Sequence, residues 1–315
     1  MFKKLIWVIA ILLVLIVIGA GLLVWRHPLE VFAWMNRGAL VNAGLMRHTV
    51  QTPAGPQVVF EGGKGPTLVL LHGAGDQAGT WAKIVPNLTE RYHVVALDLP
   101  GHGDSAPPSG PLSMTTMLQG TEAVLNRYPP PLIVVGNSLG AWIAMLYARE
   151  HPDRVARLVA VDGGPLRGER QDLARLPVNR EEARRLFDAV LDPGAPRVPD
   201  FVVDDVVRDA NRGPMARMTA ARDDLQKYLL DDLGDVSVPV DLLWGESDKL
   251  VPLDYAKKME AALPAARLTS LPRCGHVPQQ ECPVAFGSTL QSLLREPPPQ
   301  RKPVAVPASA KTAAK

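Results

Sequence analysis

LIVVGNSLG, residues 132–140, joins an apolar run to a turn of small residues around a serine. The run predicts a buried strand, and the apolar residues that follow the turn predict a helix. A tight turn between a strand and a helix requires small residues on both sides of Ser138, and Gly136 and Gly140 provide them. The start of the helix also brings a backbone N–H and positive potential to the serine. The stretch therefore predicts a nucleophilic serine at the end of a strand rather than a solvated serine in a structural turn.

Apolar runs and helical patterns alternate on both sides of this turn. Strands are predicted at residues 57–60, 67–71, 92–97, 132–135, 155–161, 240–244 and 268–271, and helices at 80–91, 113–127, 139–150, 253–263 and 284–294. Runs that are apolar on both faces are typical of parallel strands covered by helices, so the alternation indicates a doubly wound α/β sheet. Residues 165–235 contain helical patterns without a strong strand pattern, and they are too many for an ordinary loop. We expect a helical insert there, over the edge of the sheet.

A serine hydroxyl needs a base to remove its proton, and His276 is the best candidate among the seven histidines. It follows the last predicted strand, where a short loop can reach the carboxyl edge at which open α/β sheets bind ligands. Asp248, in a GESD turn after the strand at 240–244, can orient the imidazole from the same edge. Asp162, at the end of the strand that precedes the insert, and Glu246 remain alternative acids.

Two backbone amides are expected to stabilise the oxyanion that forms when the serine attacks a carbonyl group. One is the amide of Leu139, at the start of the helix, and the other is that of Ala74, in the glycine-rich turn LHGAG at residues 71–75. His72 is interpreted as a brace for this turn. The histidine and aspartates of DLPGHGDS at residues 98–105 are also interpreted as structural, so no metal or other cofactor is predicted.

Five motifs, in this order and spacing, resemble those of the α/β-hydrolase superfamily over about residues 50–295. They are HGAG, DLPGHGDS, GNSLG, GESD and CGHVP. The resemblance implies an α/β-hydrolase fold with a lid insert and a reaction that transfers an acyl group to water. RYHVVALDLPGHGDS, GNSLG and a hydrophobic N-terminus are similar to the membrane-associated monoacylglycerol-lipase-like and family V bacterial lipase branch. Leu139 and Ala141 depart from that branch, in which Met and Gly are common at these positions.

These features predict a serine carboxylester hydrolase of the lipase or esterase type, acting on a small ester or a lipid. Asn137 and the CGH at residues 274–276 also resemble the carbon–carbon bond hydrolases of aromatic breakdown, which remain an alternative. A non-catalytic binding protein is another, because a fold does not by itself imply a reaction. The resemblance excludes haloalkane dehalogenases and epoxide hydrolases, whose nucleophile is an aspartate where this chain has Ser138. Three side chains of the insert are expected to line an acyl groove: Met215, Met218 and Tyr228.

The N-terminus is predicted to anchor the chain in a membrane, with a cleaved signal peptide as the alternative. Residues 5–25 carry no charged side chain, and a helix of that length spans roughly 30 Å of hydrocarbon. Residues 29–46 have apolar side chains at three- and four-residue steps, which indicates an amphipathic helix on the membrane surface or against the domain. The predicted organisation is an anchor at 1–28, a juxtamembrane helix at 29–47, a hydrolase domain at 48–295 with its insert at about 165–235, and a disordered tail at 296–315. We expect the N-terminus inside the cell and the domain on the periplasmic or extracellular side.

Composition argues against a nucleic-acid partner. The 34 Lys and Arg residues are balanced by 32 Asp and Glu, and no basic run is interleaved with aromatic residues. The two cysteines, Cys274 and Cys282, are too few for a disulfide framework and lack the spacing of a zinc site. They are predicted to be free thiols, with a disulfide between them as the alternative.

Overall fold

A computed structural model describes residues 2–168 and 176–302 of the chain. Part of the predicted insert, 169–175, and most of the predicted disordered tail, 303–315, lie outside these residues. The strands are β1 (Met46–Thr52), β2 (Gly55–Gly62), β3 (Thr67–Leu71), β4 (His93–Leu97), β5 (Leu132–Asn137), β6 (Val155–Val161), β7 (Val240–Gly245) and β8 (Ala266–Leu271). The helices are α1 (Phe2–Arg26), α2 (Pro28–Asn42), α3 (Val85–Leu88), α4 (Met114–Leu125), α5 (Leu139–Glu150), α6 (Arg180–Val190), α7 (Asp200–Asp209), α8 (Pro214–Thr219), α9 (Arg222–Lys227), α10 (Leu253–Ala262), α11 (Pro278–Glu281) and α12 (Pro283–Arg295).

The eight strands form one sheet in the order β1-β2-β4-β3-β5-β6-β7-β8. β1 and β2 are antiparallel, β2 is antiparallel to β4, and the strands from β4 to β8 are parallel. Successive residues of β3 point to opposite faces, so that Val69 packs in the core under α4, α5 and α10, while Leu68 packs in the core under α3 and α12. Both faces are therefore buried, and the carboxyl ends of the parallel strands meet at one edge. This is the α/β-hydrolase fold that the sequence predicts.

Three features of the first hundred residues differ from the prediction. The helix predicted to run to residue 46 ends at Asn42, because Gly44, with φ of 91°, reverses the chain into β1. β1 is an edge strand whose one buried residue is Val50, so its sequence lacks the apolar alternation that predicts a strand. The helix predicted at 80–91 is a 3-10 turn at Ala78–Trp81 followed by the short α3.

The N-terminal helices differ in how they contact the domain. α1 is long and apolar enough to cross a membrane, and its apolar side chains are exposed. α2 packs through one face against the 3-10 turn, where Leu40 is fully buried. The opposite face of α2 exposes Phe32, Trp34 and Met35. α2 is therefore part of the domain's packing and also presents an uncovered apolar surface.

The insert between β6 and β7 contains α6 to α9 within the described residues. Ion pairs Arg180–Asp204 and Arg184–Asp200 connect α6 to α7. α7 also contacts the junction of α1 and α2. The Arg208 guanidinium donates to the carbonyl of Arg26 at 2.8 Å, and the amide of Leu29 donates to the Asp205 carboxylate at 3.1 Å. The insert thus connects the N-terminal helices to the carboxyl edge of the sheet.

The two cysteines form a disulfide bond, so the prediction of two free thiols is wrong. After β8 the chain turns back through α11, which brings the Cα atoms of Cys274 and Cys282 to 5.9 Å, within the range that a disulfide spans. The spacing of eight residues did not reveal this return, because it depends on how the loop folds. The bond encloses His276.

Candidate active site

Ser138 lies in the turn between β5 and α5. Its φ of 52° and ψ of −112° are strained for a residue with a side chain, and its amide donates to the carbonyl of Val161 at 2.8 Å. A Cβ on Gly136 would lie 2.4 Å from the carbonyl group of Gly140, and one on Gly140 would lie 2.2 Å from the Leu71 oxygen. Both positions therefore require glycine, and the packed turn holds the serine in its strained conformation.

The structure brings Ser138, His276 and Asp248 into one hydrogen-bonded series. His276 Nε2 lies 2.9 Å from Ser138 Oγ, and His276 Nδ1 lies 2.7 Å from Asp248 Oδ2. The histidine and the aspartate are buried, whereas the serine is partly exposed. In the tautomer that fits this geometry, Nδ1–H donates to the carboxylate, and Nε2 accepts from the serine hydroxyl. Such a series can remove the serine proton during attack on a carbonyl carbon.

Asp248 is held by the loop that leads into α10. Its Oδ1 accepts from the amides of Leu250 at 2.8 Å and Val251 at 2.9 Å, which leaves Oδ2 for the histidine. Neither alternative acid bonds to His276 within the described residues. Glu246 is exposed and accepts from Ser270 Oγ at 2.6 Å, while Asp162 accepts from the amide of Gly245 at 2.8 Å.

The loop that carries His276 is attached to the insert. The His276 amide donates to the carbonyl of Val190, the last residue of α6, at 2.7 Å. A Cβ on Gly275 would lie 2.1 Å from the same oxygen, so this approach requires glycine. The side chain of Glu281 accepts from the amides of Gly275 and Asp192, each at 2.6 Å. The end of α6 and the histidine loop therefore form one hydrogen-bonded unit.

Asn137 joins this loop to the serine turn, and our sequence analysis did not assign it that role. Its Nδ2 donates to the carbonyl of His276 at 3.0 Å and to that of Val161 at 3.3 Å. Its Oδ1 accepts from Gln279 Nε2 at 3.2 Å. An amide at the end of an otherwise apolar strand was the available signal, because a buried polar side chain requires partners.

The expected oxyanion donors belong to two turns that meet at Ser138. Leu139 is the first residue of α5, and Ala74 lies in the turn after β3, where a Cβ on Gly73 would lie 3.3 Å from Ser138 Cβ. Within the described residues, neither the Ala74 amide nor the Leu139 amide donates to another group. Two such amides can accept the negative charge that develops on a carbonyl oxygen under attack.

His72 braces the oxyanion turn. Its Nδ1 lies 2.7 Å from the carbonyl of Gly73, and its Nε2 accepts from the Leu99 amide at 2.9 Å. Burial, followed by the neighbouring His102, lowers the pKa of His72 well below its ordinary value, so the ring is neutral. Burial also lowers the pKa of His102 to about 4 and raises that of Asp76, which follows the turn, to about 6.

The loop at residues 98–105 is also tied into backbone hydrogen bonds. Asp98 accepts from the amides of Ala78 at 2.7 Å and Asp104 at 3.0 Å, and Ser105 Oγ donates to the Asp98 carbonyl at 2.7 Å. In residues 2–168 and 176–302, no group of three or more His, Cys, Asp or Glu side chains is arranged to hold a metal ion.

The three expected groove residues lie in different places. Met215 lies over the oxyanion turn, since a Cβ on Gly75 would be 3.1 Å from its Cγ. Met218 is buried in the core. Tyr228 bonds through its hydroxyl to Thr115 Oγ1 at 2.8 Å and lines a cavity of about 170 Å³ against α4 and α5. Met215 therefore contacts the turn beside Ser138, and the Tyr228 carbonyl accepts from the indole of Trp142, one helical turn after the serine, at 3.0 Å.

Comparison with known proteins places these features in a family context. The model of the alpha/beta hydrolase family matches residues 68–288. A pimeloyl-[acyl-carrier protein] methyl ester esterase from Nitrosomonas europaea is 30% identical over 247 residues, which cover 73% of this chain and 96% of that esterase. A 2-hydroxy-6-oxononadienedioate/2-hydroxy-6-oxononatrienedioate hydrolase from Cupriavidus pinatubonensis is 28% identical, with 72% and 86% of the two chains covered.

Among solved structures, a membrane phospholipase A described as a bacterial virulence factor is similar, with a TM-score of 0.73 and 28% identity. The likeness covers 92% of this chain and 98% of that one. Such coverage is more than residues 48–315 alone can supply, so it includes part of the N-terminal helical segment.

Proposed function

Because the chain belongs to the alpha/beta hydrolase family, we propose that it is a membrane-anchored serine carboxylester hydrolase that acts on lipid-like esters through an acyl-enzyme. The observation that carries the proposal is the hydrogen-bonded series from Ser138 Oγ through His276 to Asp248. The amides of Ala74 and Leu139 beside the serine add the second element that acyl transfer requires. The esterase from Nitrosomonas europaea supports ester cleavage as the reaction type.

In the first half of the reaction, Ser138 Oγ attacks the carbonyl carbon of the ester while its proton passes to His276 Nε2. The carbonyl oxygen becomes an oxyanion and accepts from the Ala74 and Leu139 amides. Asp248 stabilises the imidazolium that has formed. The imidazolium then gives its proton to the departing alcohol oxygen, and an acyl-serine ester remains.

In the second half, His276 removes a proton from water as the water oxygen attacks the acyl carbon. The same two amides hold the second oxyanion. When that oxyanion collapses, the bond to Ser138 Oγ breaks, the serine regains its proton from His276, and a carboxylic acid leaves. The enzyme returns to its starting state without a redox step.

Four observations support the membrane part of the proposal. α1 has the length and exposed apolar surface of a spanning helix. α2, separated from it by His27, exposes Phe32 and Trp34 where an interfacial helix places apolar and aromatic side chains. The similar membrane phospholipase A shares part of this segment. The Cys274–Cys282 disulfide favours an oxidising compartment, and hence a domain on the periplasmic or extracellular side.

The insert is suited to act as a lid, because it contacts both the anchor and the catalytic loops. Met215 lies over the oxyanion turn, where it can contact an acyl chain. Met218 and Tyr228 support this part of the insert, the first through the core and the second through Thr115. We expect medium or long acyl chains to be better substrates than acetyl esters, because an apolar chain gains more from contact with the insert.

A carbon–carbon bond hydrolase is the second candidate function. The observation that favours it is the similarity to the hydrolase from Cupriavidus pinatubonensis. The same serine, histidine and oxyanion amides can serve that reaction, in which a ketone carbonyl rather than an ester is attacked. The two candidates therefore differ in substrate and not in the position of the site.

Labelling with a fluorophosphonate probe, followed by a substrate panel, tests the proposal. The full-length protein in mild detergent is expected to be labelled, Ser138→Ala is expected to lose the label, and Ser288→Ala, on the exposed face of α12, serves as the matched control. The panel comprises p-nitrophenyl esters of two to sixteen carbons, a monoacylglycerol and a vinylogous 1,5-diketone. Absence of any Ser138-dependent labelling contradicts the proposal and favours a non-catalytic binding protein. Faster cleavage of the diketone than of any ester favours the second candidate.

A further inference from the structure

Two glycines that contact each other, Gly245 and Gly275, link three carboxyl groups at the carboxyl edge of the sheet: Asp162, Asp248 and Glu281. Gly245 donates to the Asp162 side chain and accepts the amide of Asp248, and Gly275 donates to the Glu281 side chain. In residues 2–168 and 176–302, no Lys or Arg side chain donates to any of them, and the one ionisable group bonded to the cluster is His276, through Asp248. Like charges in a buried site oppose each other's ionisation. The arrangement therefore favours a proton on one of the three.

The number of N–H donors indicates which carboxyl group stays charged. Asp248 accepts three, from the backbone of Leu250 and Val251 and from the His276 ring. Glu281 accepts two backbone amides, one on each oxygen. Each such bond stabilises the ionised form. These two groups are therefore the better acceptors of negative charge.

Asp162 accepts one donor, the amide of Gly245, at 2.8 Å on Oδ1. Its Oδ2 is buried and receives no donor within the described residues. The side chain is fully buried at the end of β6, where its φ is 48°. Gly245, whose amide donates to Asp162, also accepts the amide of Asp248 through its carbonyl at 3.3 Å, so the two aspartates meet at one turn. Burial, and then the charge of Asp248, raise the pKa of Asp162 well above its ordinary value.

We propose that Asp162 is a neutral carboxylic acid whose O–H donates to the Asp248 carboxylate, and that it is a positioning residue for the Asp248–His276 pair. Among the described residues of the cluster, the Asp162 O–H has no acceptor other than Asp248. It provides Asp248 with a fourth hydrogen bond and restrains the carboxylate from turning away from the imidazole. Because Asp162 is neutral, this support adds no second negative charge beside the imidazolium.

The proposal rests on the proposed function for the roles of Asp248 and His276, while the protonation of Asp162 can be measured without them. Asp162→Asn is the informative variant, since its oxygen can accept from Gly245 and its N–H can donate to Asp248. Asp162→Ala lacks the donor. Both are compared with the full-length wild-type protein in mild detergent.

The first measurement is the pH profile of kcat/KM from pH 5 to 10 with p-nitrophenyl butyrate. If Asp162 is neutral, Asp162→Asn retains kcat within about threefold, and the acid limb of its profile does not move. Asp162→Ala is expected to lower kcat by about tenfold or more, because Asp248 loses a hydrogen bond that restrains it. Asp162→Asn retains that hydrogen bond and should therefore retain kcat. If Asp162 is charged, Asp162→Asn removes a negative charge near the imidazole, and its acid limb moves to lower pH by about half a unit or more. That movement overturns the proposal.

The second measurement is the Tm of wild type and Asp162→Asn between pH 4 and 8, which does not depend on activity. An aspartate in the unfolded chain loses its proton near pH 3.9, whereas neutral Asp162 keeps it in the folded protein. Wild-type stability therefore falls as pH rises from about 4 towards the folded-state pKa, while Asn has no proton to lose. We expect the Tm of Asp162→Asn relative to wild type to rise by about 3 °C or more from pH 4 to 7. A Tm difference that is constant with pH, or a 10³-fold loss of kcat in Asp162→Asn, contradicts the proposal.

Discussion

The catalytic edge of the sheet and the N-terminal helices are attached to the molecule in different ways. At the edge, buried strand ends and backbone amides hold each functional side chain, as the two amides on Asp248 Oδ1 illustrate. The junction of α1 and α2 is held to the insert by two hydrogen bonds in partly exposed positions, Arg208 to Arg26 and Leu29 to Asp205. α1 makes few other contacts with the domain.

This contrast suggests a division of roles. Displacement of a strand end disturbs the core on both faces of the sheet, so the geometry for bond cleavage is rigid. α1 can move relative to the domain at a smaller energetic cost, so we expect it to affect where the protein is held and which substrate reaches it. Variants of the two regions should therefore change different measured quantities.

The largest effects are expected at the serine and the histidine. Ser138→Ala and His276→Ala should each lower kcat for a soluble ester by several orders of magnitude, because nucleophile and base act as one unit. The double variant should lose little more than either single variant. Steady-state kinetics of the purified full-length proteins checks this, and activity within about tenfold of wild type in either single variant contradicts the assignment.

The acid should have the next largest effect. Asp248→Asn is expected to lower kcat by roughly 10³ to 10⁴ while the protein stays folded, because an amide favours the wrong histidine tautomer. Asp162→Asn is the matched control at the neighbouring strand end and should lose far less. Steady-state kinetics measures kcat, and circular dichroism at 25 °C checks that each variant is folded. A larger loss of kcat in Asp162→Asn than in Asp248→Asn would make Asp162 the orienting acid.

Deletion of α1 should lower turnover of a membrane-borne substrate without changing cleavage of a soluble ester. Deletion of residues 1–26 is expected to leave kcat for a soluble short-chain ester unchanged and to lower turnover of vesicle-borne monoacylglycerol by tenfold or more, since membrane anchoring raises the local concentration. The deletion retains α2, whose Leu40 is fully buried. Deletion of residues 1–47 is the contrasting variant and should also lower the Tm, because it removes the buried side chains of Leu40 and Leu45 from the core. Equal turnover of the vesicle substrate by wild type and the shorter deletion contradicts an anchoring role.

The smallest effect is expected where the insert meets the anchor. Asp205→Ala removes the acceptor for Leu29 and Arg208, which should destabilise the fold by about 1 kcal/mol and lower the Tm by about 2–4 °C. Asp231→Ala, which breaks an exposed pair with Arg167, is the control and should change the Tm very little. Differential scanning fluorimetry in detergent measures the Tm of both variants. An unchanged Tm in Asp205→Ala shows that the contact does not hold the junction.

The fold was predictable because buried parallel strands have a strong local pattern. β5 and β6 are recognised from runs that are apolar on both faces, and the glycines around Ser138 identify the turn between β5 and α5. The position of each strand end also indicates which histidine and which aspartate can meet. β1 was missed because one face of an edge strand is solvated, so the apolar signal is reduced to Val50.

The remaining features depend on contacts between distant residues. The disulfide requires the chain to return after β8, and the packing of α2 depends on how its face around Leu40 fits the 3-10 turn at Ala78–Trp81. Met215 and Tyr228 lie in different places for the same reason, because the short helices of the insert are oriented by the residues that they pack against. Sequence spacing contains no information about such partners.

Asn137 has a consequence for protein engineering. Its amide joins the strand before the nucleophile, the end of β6 and the loop of the base, so those three segments share one buried connector. Transfer of the three triad residues to another scaffold would omit it, and the carbonyl of His276 would lose a donor. We therefore expect a graft of this site to require Asn137 in addition to the three triad residues and the glycines of the turns, because its side chain connects the loop of His276 to the serine turn.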